Sequence, residues 1–365
     1  MKIEAATISA PGADFEIQTL ELSEPRADEI RVRIAAVGLC HTDLGVRDQP
    51  YGMTLPMVLG HEGAGIVEAV GAEVTKVAPG DRVLISFRSC GDCKMCGAGQ
   101  PAYCNHLIAM NFGCARLDGA SSFEGKVGSN FFGQSSFATH ALTYERNLVK
   151  LPQDIPFALA APLACGVQTG AGSILRALNC PPGSSVAVIG GGTVGLSAVM
   201  AAKARGCATI ILIEPVQARR DLALQLGATH ALDPFAGEIA PAVRAVVPHG
   251  VDYVLEASGV AAAAQAAFGY IATRGVLGLV GVPPGGSQLS VPLDLAITFG
   301  IGVRGIIEGD SDPDVFIPEL LDLHRAGRLP FERLISTYPF HDINAAIAAQ
   351  LAGEVVKVVL TMDGA

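Results

Sequence analysis

Ser185-Val-Ala-Val-Ile-Gly-Gly-Gly-Thr-Val-Gly195 is an apolar run that enters a glycine-rich turn and leaves it, through Thr193 and Val194, in a helical pattern. Gly190 permits a tight turn, Gly192 lets a pyrophosphate approach the backbone, and Gly195 lets helix and strand pack closely with the helix N-terminus facing the phosphates. Such a turn alone is weak evidence, and its surroundings carry it. The next apolar run, I-I-L-I-E, ends in the acidic residue Glu214, where an adenosine ribose would be bound. A dinucleotide is therefore expected, and the charge of Glu214 repels a 2′-phosphate, so NAD(H) is preferred over NADP(H). Arg219 and Arg220 stand close by and soften that preference, because arginines near this position accommodate the extra phosphate.

Working outward, strand and helix alternate from about residue 181. Strands are expected at 186–189, 209–213, 230–232, 252–256, 276–281 and 302–306, with helices at 194–205, 216–226, 238–247 and 260–271. That alternation builds a parallel sheet covered on both faces, and six strands suit a doubly wound α/β domain. The first 150 or so residues are β-rich instead: 29–37 alternates polar and apolar, and 65–70 and 81–86 are short apolar runs closed by Gly or Pro. Beyond 306, helices at 314–326 and 342–352 and a strand at 355–361 are too few for a domain of their own. They are expected to complete the N-terminal one, giving domains at 1–166 with 308–365 and at 167–307.

The 365 residues exceed one ordinary core. Half are hydrophobic, 43 are Gly and Trp is absent, which is α/β usage with tight turns. A net charge of -10 without a basic run makes nucleic acid and anionic membranes poor partners. Glu4 and Asp14 interrupt the first residues, so neither a signal nor a transit peptide is expected and cytoplasmic residence is the default. The uncharged stretches 179–202 and 275–293 are broken by Pro pairs or Gly triplets and fit a buried sheet better than a membrane span.

Cys90, Cys93, Cys96 and Cys104 lie in C-G-D-C-K-M-C-G-A-G-Q-P-A-Y-C. Close-set thiolates among glycines can converge on a tetrahedral ion, and a closed structural zinc site is the first reading. Disulfides are the main alternative, though five further cysteines lie scattered along the chain and a reducing compartment favours metal. An iron-sulfur cluster is the other, but the ferredoxin run has a three-residue last gap followed by Pro, whereas Asn105 follows Cys104 after a longer gap. Cys114, Cys180 and Cys207 are expected to be buried thiols.

Cys40 in V-G-L-C-H-T-D, His61 in L-G-H-E-G-A-G and Cys165 in A-P-L-A-C-G-V-Q-T-G are each unremarkable alone, since a single Cys is usually core and a single His a satisfied polar group. Together, two Cys and one His form the ligand set of a catalytic alcohol dehydrogenase zinc. With G-H-E-G-A-G-I-V-E-A-V-G, P-G-D-R-V, the four-cysteine loop and G-G-G-T-V-G in this order, the chain resembles the zinc-dependent medium-chain dehydrogenases/reductases, the family of the alcohol dehydrogenases, over essentially its whole length. M-N-F-G, F-F-G-Q-S-S-F-A-T-H, L-A-C-G-V-Q-T-G-A-G and I-I-E-G-D-S-D-P-D-V-F-I-P are most similar to the aryl (benzyl) alcohol dehydrogenases, whose relatives include allylic terpene alcohol dehydrogenases.

The resemblance implies a GroES-like catalytic domain beside the Rossmann domain, and two zinc ions per chain, with Cys40, His61 and Cys165 holding the catalytic one and the four clustered cysteines the structural one. Glu62 would be an occasional alternative ligand, Asp43 the carboxylate orienting His61, and Thr42 the hydroxyl that takes the substrate proton. His41 would lie near the pyrophosphate, Thr169 near the nicotinamide, and Lys357 near the phosphates, with Thr193, Val194, Arg219 and Val280 completing the coenzyme site. One departure stands out: Gly45 occupies the place where many members carry the His that ends the proton relay. The implied reaction is reversible oxidation of a primary aryl or allylic alcohol to its aldehyde with NAD+, with geraniol- or perillyl-type and broad-range primary alcohols as alternatives. Phe87, Phe112 and Phe132 are candidates for the pocket wall, with core packing their ordinary role. A zinc-free quinone or enone reductase, or a zinc protein without catalysis, would leave Cys40, His61 and Cys165 to coincidence. Family members are homodimers or homotetramers, commonly paired through the sheet edge that 302–306 would form.

Overall fold

In the computed structural model, which describes residues 1–362, strand Ser185–Ile189 lies between two parallel neighbours, Thr209–Ile213 and Val251–Glu256. The full sheet runs His230–Leu232, Thr209–Ile213, Ser185–Ile189, Val251–Glu256, Ile271–Leu279, Gly302–Gly305, every pair parallel. Chain order thus reverses at the central strand, as in doubly wound dinucleotide-binding sheets. Val186, Ala187, Val188, Ile211 and Leu212 are wholly buried, because helices cover both faces of a parallel sheet. Helix Thr193–Arg205 starts at Gly192 and stops at Gly206, whose φ of 85° supplies the left-handed cap.

Two expectations need correction in this sheet. The strand expected at 276–281 spans Ile271–Leu279, and the helix expected at 260–271 ends as Ala261–Ala266 plus one turn, Ala267–Gly269. Tyr270 and Ile271 bury their side chains at the head of the strand, and that packing outweighs the helical pattern.

The other unit is built on a seven-stranded sheet, Ile335–Pro339, Lys357–Thr361, Glu29–Gly38, Gly63–Val70, Arg82–Ile85, Leu148–Lys150, with His140–Tyr144 also paired to Glu29–Gly38. A three-stranded sheet, Glu16–Glu21, Lys2–Ile8, Met57–Val58, accompanies it. Ile30, Val32, Ile34 and Val37 are buried, as the alternation in 29–37 requires. Compactness divides the chain into Met1–Cys165 with Asp312–Ile317 and Leu334–Ala365, and Gly166–Ser311 with Pro318–Arg333. Residues 318–333 and 308–311, expected with the first domain, group with the second. Arg176 pairs with Glu319, Arg328 donates to the Ala204 carbonyl and Arg333 to Gln225. The last three residues of the expected 308–365 return lie outside the described residues. Among those, no single helix is long and apolar enough to cross a membrane.

Candidate metal centre and dinucleotide turn

Strand Glu29–Gly38 runs on through Leu39 to Cys40, whose extended backbone (φ -117°, ψ 155°) caps helix His41–Asp48. Asp43, three residues into that cap, is wholly buried. Its Oδ2 accepts the Cys40 N–H at 3.0 Å, and its Oδ1 accepts the Gly60 N–H at 3.0 Å and His61 Nδ1 at 2.9 Å. A carboxylate can only accept, so the Nδ1 of His61 carries the proton and Nε2 is the ligand atom. Nε2 is buried without a hydrogen-bond partner. It is grouped with the sulfurs of Cys40 and Cys165 and a carboxylate oxygen of Glu62, all four donor atoms within 4.8 Å of one another. Two sulfurs, one imidazole nitrogen and a carboxylate oxygen fit a borderline-soft divalent ion such as zinc.

Charge in this cluster is shared. A hydrogen bond from Cys165, together with His61 and Lys357, holds the Cys40 thiol well below its usual range against the effect of burial. Burial pulls His61 down, but Asp43 and Cys40 together raise it well above its ordinary value. Burial pushes Glu62 up to about 7, with Lys357 opposing. A cation entering the cluster therefore displaces protons. Glu62 lies against Gly38, where a Cβ would meet its Oε2 at 1.8 Å. Thr42 is half-buried with its hydroxyl 3.7 Å from the Cys40 sulfur, whereas His41 and Gly45 are exposed on the same short helix.

Aromatic rings close one side of His61. Phe132 stacks on it with centroids 4.5 Å apart, Phe131 meets it edge-on at 5.6 Å, and Phe112 packs on Phe132 at 5.0 Å. The loop that carries Phe131 and Phe132 is bent sharply: Asn130, Phe132, Gly133 and Ser135 have φ values of 59°, 53°, 62° and 56°. Left-handed Phe costs of order 1 kcal/mol or more, so the loop persists only because its neighbours over-determine it. Gln134 Nε2 donates to the His61 and Ile85 carbonyls at 2.9 and 3.1 Å, Asn147 Nδ2 to the Phe132 carbonyl at 2.9 Å, and Ser135 Oγ to the Val58 carbonyl at 2.7 Å.

In the four-cysteine loop, Cys104 and Cys90 sulfurs are 3.4 Å apart, Cys90 and Cys96 3.9 Å, and Cys93 and Cys104 4.0 Å. A disulfide would hold sulfurs at about 2.05 Å, whereas ~2.3 Å bonds to a tetrahedral zinc place them ~3.8 Å apart. None of the nine cysteines is in a disulfide. Backbone N–H groups of Cys90, Cys93, Asn105 and His106 point at these sulfurs at 3.3–3.4 Å, and those of Asn105 and Cys96 draw the Cys93 thiol down to about 6. Elsewhere Cys114 and Cys180 are buried, and Cys207 is half-buried.

The glycine turn has the shape its sequence requires. Gly190 takes φ 96°, a Cβ on Gly195 would sit 1.8 Å from the Gly190 carbonyl, and the space beside Gly192 is open. Glu214 is held next to it, accepting the Gly191 N–H at 2.5 Å and the Val216 N–H at 2.9 Å. Thr193 and Val194 open the following helix, and Thr169 is buried in helix Gly166–Gly172. Val280 follows strand Ile271–Leu279 and donates to the Glu256 carbonyl at 2.9 Å.

Residues 26–153 match the alcohol dehydrogenase GroES-like domain and residues 193–324 the zinc-binding dehydrogenase domain. The chain is 45% identical over 362 residues to a geraniol dehydrogenase of Castellaniella defragrans, covering 98% of this chain and 97% of that one. It belongs to the zinc-dependent alcohol dehydrogenases of the medium-chain dehydrogenase/reductase family. Among solved structures, an alcohol dehydrogenase zinc-binding domain protein from Burkholderia ambifaria (44% identity, TM-score 0.96) and a benzyl alcohol dehydrogenase from Acinetobacter calcoaceticus (40%, TM-score 0.96) each match over 99% of both chains.

Within this alcohol dehydrogenase Cys40, His61, Cys165, Glu62 and Asp43 converge, and so do Cys90, Cys93, Cys96 and Cys104. Lys357, expected near the phosphates, is 1% exposed, ion-paired with Glu62 and donating to the Leu39 carbonyl at 3.0 Å. Arg220 is committed to the Glu214 and Pro215 carbonyls at 2.6 and 2.7 Å and to Asp233 at 3.2 Å, and Arg219 is half-buried. Phe87 is a buried core residue, and Phe131, overlooked in the sequence, takes a place in the ring cluster. The doublet F-F before G-Q-S-S was the available signal.

Proposed function

We propose that this alcohol dehydrogenase oxidises primary aryl or allylic alcohols, benzyl alcohol in type, reversibly to aldehydes: R-CH2OH + NAD+ gives R-CHO + NADH + H+. The observation that carries the substrate class is the wall of Phe112, Phe131 and Phe132 packed on His61, since flat unsaturated groups gain from aromatic contact. The geraniol and benzyl alcohol dehydrogenases it is similar to are both named for alcohols with a double bond or ring beside the carbinol. The first also keeps a terpene (geraniol or perillyl) alcohol as the second reading.

Cys40, His61 and Cys165 would hold the catalytic zinc, with Glu62 as an alternative ligand, and the four clustered cysteines a structural zinc. Bound there, the catalytic zinc supplies a Lewis acid that lowers the pKa of the alcohol. NAD+ supplies the hydride acceptor. Asp43 keeps His61 in the ligating tautomer, and Thr42 Oγ1 takes the alcohol proton. Gly45 offers no group to receive it, which leaves the coenzyme ribose and water, or His41, as the exit. Glu214 would accept the adenosine ribose hydroxyls and set the preference for NAD(H). Cysteine spacing that suits a metal rather than disulfides fits residence in the cytoplasm.

Steady-state kcat/KM across benzyl alcohol, cinnamyl alcohol, geraniol, hexanol and ethanol, with NAD+ and with NADP+, tests the proposal. Benzyl or cinnamyl alcohol is expected to lead, and geraniol in first place would select the terpene reading. Ethanol as the best substrate would sink both.

A further inference from the structure

The turn at 306–311, I-I-E-G-D-S, leaves the carboxyl end of edge strand Gly302–Gly305 with three consecutive residues in the left-handed region: Glu308, Gly309 and Asp310, at φ 49°, 65° and 53°. Side chains rarely adopt that backbone, and it persists where the surroundings impose it. Ser311 Oγ donates to the Glu308 carbonyl at 2.6 Å, and Arg304 bridges the Asp310 carboxylate and the Ala177 carbonyl. Gly309 fits against helix Gly166–Gly172 so closely that a Cβ would meet the Gln168 carbonyl at 2.6 Å. The result of this bending is a carboxylate turned inward. Glu308 is 6% exposed, and one of its oxygens accepts both Gln168 Nε2 at 3.1 Å and Thr169 Oγ1 at 3.3 Å.

An amide would fill the same volume without the cost of desolvating a charge. What the charge could serve follows from the sheet. A dinucleotide lies across the carboxyl ends of a doubly wound sheet, one mononucleotide to each half. The half with the glycine turn and Glu214 takes the adenosine end, so the nicotinamide end falls to the half formed by Val251–Glu256, Ile271–Leu279 and Gly302–Gly305. Glu308 sits at the carboxyl end of the last of these strands. Thr169, which its hydroxyl bond joins to Glu308, is on a helix that packs against the glycine-turn helix, since a Cβ on Gly170 would meet the Val194 carbonyl at 2.0 Å. The pair therefore stands where the two halves meet.

The nicotinamide ring is cationic when oxidised and neutral when reduced, so a fixed anion nearby in a poorly polarisable surrounding favours the oxidised form. We propose that Glu308 is a positioning residue that presents its negative charge, through Thr169, to the nicotinamide end and so raises the affinity for NAD+ relative to that for NADH. The proposal rests on the reading of this unit as the NAD(H) site.

Dissociation constants of NADH, from its fluorescence, and of NAD+, from displacement, are measured for the zinc-loaded enzyme and for Glu308→Gln. Loss of the charge is expected to weaken NAD+ about five- to tenfold more than NADH, while Glu308→Asp keeps the quotient of the two constants near the starting value. A variant that weakens both coenzymes equally, or neither, overturns the proposal, because a purely structural role would not move the quotient. Should Glu308→Gln not fold, Glu308→Asn, neutral and tolerant of a left-handed backbone, replaces it with the same expectation. A parent enzyme that binds neither coenzyme would refute the underlying NAD(H) reading instead.

Discussion

Asp43 does three jobs with two oxygens: it ties Cys40 to the start of helix His41–Asp48, fixes the Gly60 backbone and holds the His61 ring. Asn at this position keeps one acceptor and sets an NH2 group against one of the three donors. Asp43→Asn is expected to cost roughly 10–100-fold in catalytic-zinc retention or kcat, read by zinc content after dialysis against a weak chelator and by turnover of the reloaded enzyme. Unchanged retention and turnover would show that His61 is oriented without its carboxylate. The pairing of Glu62 with Lys357 illustrates why single residues mislead. Lys357 is a lysine near a C-terminal strand, and nothing in its neighbourhood along the chain announces that strand pairing brings it beside a buried carboxylate.

At the scale of elements, the four-cysteine loop is short of regular structure, with only Lys94–Gly97 and Pro101–Tyr103 helical, so its order depends on what its sulfurs hold. Cys96→Ser is expected to lower zinc from two ions per chain to one and to depress Tm by several degrees, the response to a loss of about 2 kcal/mol in a chain of this length. The kcat of the enzyme that remains folded should stay within about twofold, because this loop touches no reacting group. Metal analysis, a thermal melt and an activity assay on the same sample decide it. A kcat that falls with the metal would give the loop a direct part in catalysis. This loop and the glycine turn were legible in the sequence because their spacing is local: Cys90 to Cys104, and Gly190 to Gly195. Cys40, His61 and Cys165 were legible only through family likeness, since three separate elements of one sheet unit bring them together. Glu308 was not legible, because the left-handed backbone that aims its side chain leaves almost no mark on residue type outside glycine and asparagine, and Phe131 was marked only by its place in the doublet F-F.

For the whole molecule, the band along 282–303 is conspicuous: Val282, Leu293 and Ile297 are largely exposed, and Val303 sits on an edge strand with one side unpaired. An apolar band beside an open edge is what a second copy would cover. Ile297→Arg is expected to shift the mass found by light scattering from dimer or tetramer toward monomer, while coenzyme binding survives. A parent protein that is already monomeric would remove this reading. The ring-bearing loop at 130–135 has a different reach. Because its left-handed turns are fixed by internal hydrogen bonds, the chain meets the cost of shaping that wall when it folds, and no part of it is charged to the incoming alcohol. On the proposed substrate reading the wall is a mould cast in advance, so the range of alcohols is expected to widen or narrow with the size of the rings at 112 and 132, while changes to the glutamine and serines that brace the loop should cost the mould itself.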